Sequence, residues 1–406
     1  MPESSSQPTL SQRRISRVAN AGLVVAGVTI TSLGPSLPFL IREYGLSLTI
    51  AGAVFAFFAG GRIGAVLIST QIAERFERKT LLTLGHGGFA LGLIAFAFGV
   101  TWWMHLAAIS LAGIGYGFTD VLSNAVVAEI YPDRRGFALN RLQAYYGIGC
   151  IVGPLFAASI LGMALSWRWI YIAAGVVALL VTGVTINTEF PAREVVGKRT
   201  GGSRVRLGFL RRPALLIPAF AIGMYTGVGN GLIGWINTYF EELLGAPAVV
   251  ATLVLLGYNA GITAGRFLGS AYSDRLGYVP TIALNSLAAA LVLLVGALSG
   301  SVVVGATSFA LTGLFLAGIA PTAMAAATSR DPEHAGAVSS RMFIFGAGGS
   351  LFIPFLMGAT GDMLNLRAGM GFAALLVVTI VPAILLLSAA VRREQVCRAS
   401  TAGTSR

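Results

Sequence analysis

Apolar stretches of about 20 residues recur twelve times between Arg17 and Val391, and each is long enough to cross a ~30 Å hydrocarbon core as a helix. Backbone N–H and C=O groups find no water in that core, so each stretch must satisfy its own hydrogen bonds, which leaves the helix as the only open-ended solution. The composition agrees: of 406 residues 55% are hydrophobic and only 11% charged, far from the ~25% charge of a soluble domain. The 52 glycines suit closely packed membrane helices. The expected fold class is therefore an all-α membrane protein with twelve transmembrane helices. The net charge of +12 does not point to nucleic acid, because the basic residues sit in short loops and tails.

Those loops predict an orientation. Arg13, Arg14, Arg17, Arg75, Arg78, Lys79, Arg134, Arg135, Arg275, Arg330, Arg392 and Arg393 fall on one face, and only Arg42, Arg168 and Arg367 on the other, which makes both termini cytoplasmic in a multi-pass plasma (inner) membrane protein. Trp102, Trp103, Trp167 and Trp169 read as an aromatic belt at the outer interface, and His86 as a packing residue. Cys150 and Cys397 are too far apart in depth to pair or to hold a metal.

A basic, glycine-containing connection divides the chain. The expected organisation is a disordered leader at 1–17, a six-helix bundle at 18–189, a cytoplasmic linker at 190–213, a second six-helix bundle at 214–391 and a tail at 392–406. The first span is expected at 18–41. A constant offset of 200 supports two repeats: it carries Gly61 to Gly261, Gly113 to Gly313, Gly136 to Gly336, Arg141 to Arg341, Gly149 to Gly349 and Pro154 to Pro354. Parallel repeats of this kind place a solute site at their interface near the midplane.

Asp120 lies inside the fourth span, where an ionised carboxylate persists only beside a partner or a water-filled cavity, or because it titrates in a working cycle. Arg62 stands twelve residues before Glu74 at the end of span two, about 18 Å along its helix at ~1.5 Å per residue. Asp120 stands ten residues before the end of span four, about 15 Å from the same surface. The two are predicted to form an intramembrane ion pair that either carries proton coupling or acts as a fixed structural bridge. Asn124 shares the helix face of Asp120. Asn124, Asn140 and Gln143, with Tyr225, Asn230, Trp235, Asn237, Tyr258 and Asn259 in the second half, are candidates to bind solute, or simply to bond neighbouring helices.

The turn QIAERFERKT and its repeat AYSDRLGYVP resemble the loop motif of the major facilitator superfamily. The resemblance assigns Glu74, Arg75, Arg78, Lys79, Asp274, Arg275 and Gly277 to a cytoplasmic lock, and Arg141 and Arg341 are read as joining that gate. Without the resemblance the same charges are topological anchors. GYGFTDVLSN followed by LNRLQAYYGIG, together with YTGVGNGLIGWINTYF, is similar to the fucose:proton symporter family of sugar transporters. That likeness implies Asp120 as the proton carrier, with Asn124, Asn140 and Gln143 near the solute.

No phosphate-binding loop, metal-ligand cluster or nucleophile and base constellation occurs, so ATP-driven transport and enzymatic chemistry are disfavoured and no cofactor or metal is expected. The expected function is secondary active transport of a small polar solute, a sugar first, with protons by alternating access. Efflux of drugs or metabolites by proton antiport is the alternative, and a receptor that has lost translocation is a third class. The expected partners are solute, protons and the lipid bilayer, with the protein acting as a monomer.

Overall fold

The structure is a computed structural model, which describes residues 10–72, 76–131, 134–190, 213–329 and 335–386. Among the described residues every regular element is helical. The first six are α1 (Leu10–Tyr44), α2 (Leu48–Ile72), α3 (Arg78–Phe98), α4 (Trp102–Ile130), α5 (Arg135–Gly162) and α6 (Arg168–Ile186). They are followed by α7 (Pro213–Thr238), α8 (Ala248–Leu276), α9 (Tyr278–Leu298), α10 (Val302–Leu316), α11 (Ile319–Thr328), α12 (Ala335–Met363) and α13 (Leu366–Val378). A π-helical turn, Tyr239–Leu243, prolongs α7. The helices α10 and α11 form one span, Val302–Thr328, broken at Ala317 and Gly318, so the described residues include twelve helices long and apolar enough to cross a membrane.

Two compact units divide the chain: Met1–Leu46 with Ala53–Lys198 and Ala248–Leu253, and Ser47–Gly52 with Arg199–Pro247 and Val254–Arg406. In the first unit α3 packs on α4 and α6, and α1 on α5. In the second, α7 packs on α12, and α9 on α10 and α13.

The offset of 200 read from the sequence reappears as identical local solutions in each unit. Gly61 lies against the carbonyl oxygen of Ser110, and Gly261 against that of Ala310. Gly113 lies against the carbonyl of Phe58, and Gly313 against that of Tyr258. A β-carbon at any of the four would collide with backbone, so α2 meets α4, and α8 meets α10, only because glycine stands there. The turns repeat as well: Gly45 (φ 61°) and Gly245 (φ 64°) close the first span of each half in the left-handed region that side chains avoid. Thr101 and Ser301 then cap α4 and α10, each side-chain oxygen accepting from the backbone N–H three residues on.

Two expectations need adjustment, and a third feature was not foreseen. The leader expected to be disordered as far as residue 17 is helical from Leu10, because Ile15, Val18 and Ala19 bury an apolar face that Arg13, Arg14 and Arg17 hide from a hydropathy reading. Ser11 Oγ also donates to Glu189 O at 2.6 Å, tying the start of α1 to the end of α6. Second, the four tryptophans do not form one belt. Trp103 and Trp169 are exposed, but Trp102 and Trp167 are buried around His105, whose ring also meets Phe96 and Tyr44. Third, Glu43, which had no assigned role, pairs with Arg168, whose Nη1 donates to Ala97 O at 2.7 Å, joining the ends of α1, α3 and α6. The linker and tail, and the pair Glu74 and Arg75, lie outside the described residues.

Replacing Gly113 or Gly313 by isoleucine is expected to cost each unit about 2 kcal/mol or more through overpacking against backbone. Gly64→Ala, at a site where an added β-carbon meets nothing within 4 Å, is expected to be tolerated. Thermal unfolding of the purified variants in detergent checks the contrast.

Candidate functional site

Helix α4 presents two polar faces. On one, Thr119 and Ser123 are buried, with His86 of α3 close to Thr119. His86 Nδ1 lies 3.0 Å from Thr185 Oγ1, which spends its own proton on Val181 O at 2.7 Å, so the imidazole must be the donor. His86 therefore ties α3 to α6, in keeping with a packing role.

The other face carries the ion pair. Arg62 Nη2 on α2 donates to Asp120 Oδ2 at 2.7 Å. The second carboxylate oxygen, Oδ1, accepts from Asn124 Nδ2 at 3.0 Å, and the same amide donates to Asp120 O at 2.8 Å. Gln143 of α5 closes the chain with a long contact from Nε2 to Asn124 Oδ1, 3.5 Å. Arg62, Asp120, Asn124 and Gln143, chosen from sequence, thus form one connected group within the first unit. Asn140 is exposed on α5, one turn before Gln143.

Tyr116 completes the site and was not anticipated. The Arg62 guanidinium carbon sits 4.9 Å from the centroid of its ring, within the reach of a cation–π contact. Phe58 stacks on the Tyr116 ring at 5.9 Å and Phe89 packs on it at 6.0 Å. Arg62 is thus held by an aromatic face as well as by a carboxylate. The spacing of Tyr116 four residues before Asp120 was the available signal. Side-chain exposure differs across the pair, 42% for Arg62 and 15% for Asp120, so the cation is the more open partner.

The second unit uses its polar residues differently. Trp235 is 1% exposed, and its Nε1 donates to Pro354 O at 2.8 Å. Asn230 Nδ2 donates to Ser350 Oγ at 2.8 Å. Tyr258 reaches Gly229 O at 3.5 Å, and Asn259 Nδ2 donates to Leu255 O at 2.9 Å. Asn237 is fully buried and Tyr225 half-buried beside Tyr258. These contacts join helices or close a turn of their own helix. The positions 200 residues on from Arg62, Tyr116, Asp120 and Asn124 are Ile262, Leu316, Ala320 and Met324, so the charged group occurs in one repeat alone.

At the arginine-rich ends of the spans, Arg141 lies over the rings of Tyr131 and Phe137, at 5.4 and 6.0 Å from their centroids. Burial alone would raise the Tyr131 hydroxyl above its ordinary range. Hydrogen bonds from Ser16 and Arg141, with the charges of Arg141 and Arg13, outweigh that and lower it. Arg78 pairs with Glu129, linking the first turn of α3 to the last of α4, and Lys79 follows it in that turn. Arg275 ends α8, and Gly277 (φ 83°) starts α9. Arg341 is partly buried near the start of α12. Glu74, Arg75 and the side chain of Asp274 are outside the described residues.

Twelve apolar helices among the described residues, internal repetition and an ion pair within the spans define a multi-pass membrane protein. The chain belongs to the Major Facilitator Superfamily, whose family profile matches residues 20–354. It is 27% identical over 173 residues to the "Protein TsgA homolog" of Buchnera aphidicola subsp. Baizongia pistaciae, 41% of this chain and 43% of that one. It is 24% identical over 247 residues to "Uncharacterized MFS-type transporter YtbD" of Bacillus subtilis, covering 59% and 60%. These matches therefore span less than two thirds of either curated relative, 43% and 60%. Among solved structures, a bacterial homolog of the human lysosomal transporter Spinster superposes with TM-score 0.78 at 13% identity, covering 94% of this chain and 98% of that one. The D-xylose-proton symporter superposes with TM-score 0.76 at 17% identity, covering 92% and 97%. YtbD and the Spinster homolog are transporters by name.

Removing one partner of the ion pair strands the other in the membrane interior. Arg62→Ala and Asp120→Ala are each expected to destabilise the protein by about 3 kcal/mol, toward the low end for buried pairs because Arg62 retains 42% exposure. The double variant is expected to recover part of that loss, and a double-mutant cycle on detergent-solubilised protein measures the coupling.

Proposed function

We propose that this protein is a proton-coupled secondary transporter that takes up a small polar solute of the sugar class by alternating access. Asp120 is the coupling carboxylate and Arg62 its partner. The observation that carries the reading is the placement of Asp120. Among the described residues it is the one acid deep within a span, 2.7 Å from a cation that is itself 42% exposed. Ionisable side chains within spans mark solute pathways and proton relays, which is what coupling requires.

The sugar class rests on the likeness of GYGFTDVLSN and LNRLQAYYGIG to the fucose:proton symporters, and is in keeping with the shared fold of the D-xylose-proton symporter and the nucleoside transporter NupG. Asn124, Gln143 and Asn140 offer amide groups beside the pair for hydroxyl recognition. In the second half Tyr225, Asn230, Trp235, Asn237, Tyr258 and Asn259 are the corresponding candidates, with Tyr225 the more exposed and Trp235 anchored to Pro354. Arg75, Arg78, Lys79, Arg141, Arg275 and Arg341, with the acids Glu74 and Asp274, form the cytoplasmic gate in this reading. The termini are then cytoplasmic, the membrane is the plasma (inner) membrane, and the protein acts as a monomer.

Proteoliposomes test the proposal. Wild-type protein is expected to alkalinise the outside medium when its solute is added, and Asp120→Asn to abolish that proton movement while leaving equilibration of labelled solute. Wild-type protein that equilibrates solute with no proton movement is a uniporter, and the coupling assignment fails. Proton release driven by lipophilic cations instead would establish the efflux alternative.

A further inference from the structure

At the arginine-rich end of the first unit, cations gather around one hydroxyl. Tyr131 caps the C-terminus of α4, its backbone N–H donating to Val127 O at 3.3 Å. It packs against a buried cluster of Ala19, Leu23, Val127, Ala138 and Leu142, drawn from α1, α4 and α5. The hydroxyl is thereby held where three helices meet. Arg141 Nη2 of α5 donates to it at 3.4 Å, and Arg13 of α1 acts on it through its charge. Those charges and hydrogen bonds lower the hydroxyl although burial alone would raise it, the mark of a positive local potential.

Arg141 is fixed in this place. Its guanidinium lies 5.4 Å from the centroid of the Tyr131 ring and 6.0 Å from that of Phe137, so two cation–π contacts and a hydrogen bond set its position. Among the described residues no carboxylate pairs with Arg17, Arg134 or Arg141, and Glu129, in the last turn of α4, is taken by Arg78. Tyr131 Oη accepts from Arg141, so its own proton is available to an acceptor. A fixed guanidinium, a second cation and a hydroxyl donor together suit the oxygens of a phosphate.

The apolar neighbour decides which phosphate. Phe137 is 67% exposed one turn before Arg141, with its ring beside the guanidinium. Water penalises an exposed ring of that size, whereas acyl chains accept it. Inorganic phosphate uses the cations and leaves the ring in water; a phospholipid uses both. A zwitterionic headgroup brings its own ammonium to the cluster, so a net anionic one is the matching chemistry.

We propose that Arg141, Arg13 and Tyr131 form a binding site for the headgroup phosphate of an anionic phospholipid, whose acyl chains lie along Phe137. In the orientation proposed above the lipid belongs to the cytoplasmic leaflet, where basic clusters between helices meet anionic headgroups. Arg141 then meets a lipid at the same end of the spans at which it is counted with the gate. The site is independent of Arg62 and Asp120 and stands whether or not the protein moves protons.

Thermal unfolding of the full chain in neutral detergent is the test, titrated with dioleoyl-phosphatidylglycerol, dioleoyl-phosphatidylcholine or inorganic phosphate. Salt at about 0.5 M shortens the Debye length to roughly 4 Å, which suppresses diffuse attraction and leaves direct contacts. Phosphatidylglycerol is expected to raise the unfolding temperature at concentrations where the other two do not. Arg141→Gln is expected to move the midpoint of that titration about tenfold or more, as loss of a hydrogen bond to a charged group does, and Tyr131→Phe about fivefold. The second variant keeps the ring on which Arg141 rests, and it carries the test should Arg141→Gln fail to fold. Arg14→Gln, which removes an exposed cation next to Arg13, is expected to leave the midpoint unchanged. Equal losses in Arg14→Gln and Arg141→Gln would reveal a diffuse surface potential and overturn the site. Equal stabilisation by phosphatidylcholine or by inorganic phosphate would overturn the anionic lipid as occupant, and no effect of phosphatidylglycerol would overturn the proposal outright.

Discussion

A charge inside hydrocarbon must be answered by another charge, and the contact between Arg62 and Asp120 is where this protein meets that demand. Much of the first unit is arranged to keep the contact in place. Gly61, Gly113 and Gly117 bring α2 and α4 close enough for two side chains on different helices to meet. Phe58, Phe89 and Tyr116 form the aromatic support on which the guanidinium rests. Asn124 anchors the far oxygen of the carboxylate to its own helix. The pair itself is held through one hydrogen bond.

The two repeats share a packing scheme and differ in chemistry. Glycine contacts, helix caps and left-handed turns recur at an offset of 200, because each solves the same backbone problem of bringing helices together or turning between them. The side chains of the charged site do not recur. Ile262, Leu316, Ala320 and Met324 replace them with apolar groups that membrane helices accommodate at no electrostatic cost. Backbone requirements were kept in both halves, and the site belongs to one.

Polar residues within the spans have two fates. Most hydroxyls bond the carbonyl four residues back, as Thr29, Ser36, Thr182, Thr226 and Thr312 do, and so vanish into the helix. Trp235 and Asn230 spend their donors between α7 and α12. Arg62, Asp120, Asn124 and Gln143 instead bond one another across α2, α4 and α5. At two other charged contacts among the described residues, Glu43 with Arg168 and Glu129 with Arg78, the pairs sit at helix ends and tie neighbouring helices together.

The twelve spans, the repeat and the ion pair were legible in the sequence, because hydropathy, a fixed offset and helical rise are one-dimensional quantities. The membership of Tyr116 in the site, and the inward turn of Trp102 and Trp167, were not, since which face of a helix meets which neighbour depends on rotations that no local pattern records. The helical start at Leu10 was masked for the same reason: three arginines dominate the composition of that stretch, while Ile15 and Val18 decide its packing. The sequence by itself determined a helical membrane protein with one titratable carboxylate deep in a span, because the cost of burying backbone and charge is set by residue type. Only the tertiary structure decided that Arg62 meets that carboxylate through a single bond with an aromatic face behind it, because the meeting of α2 and α4 is settled by contacts between residues 58 positions apart.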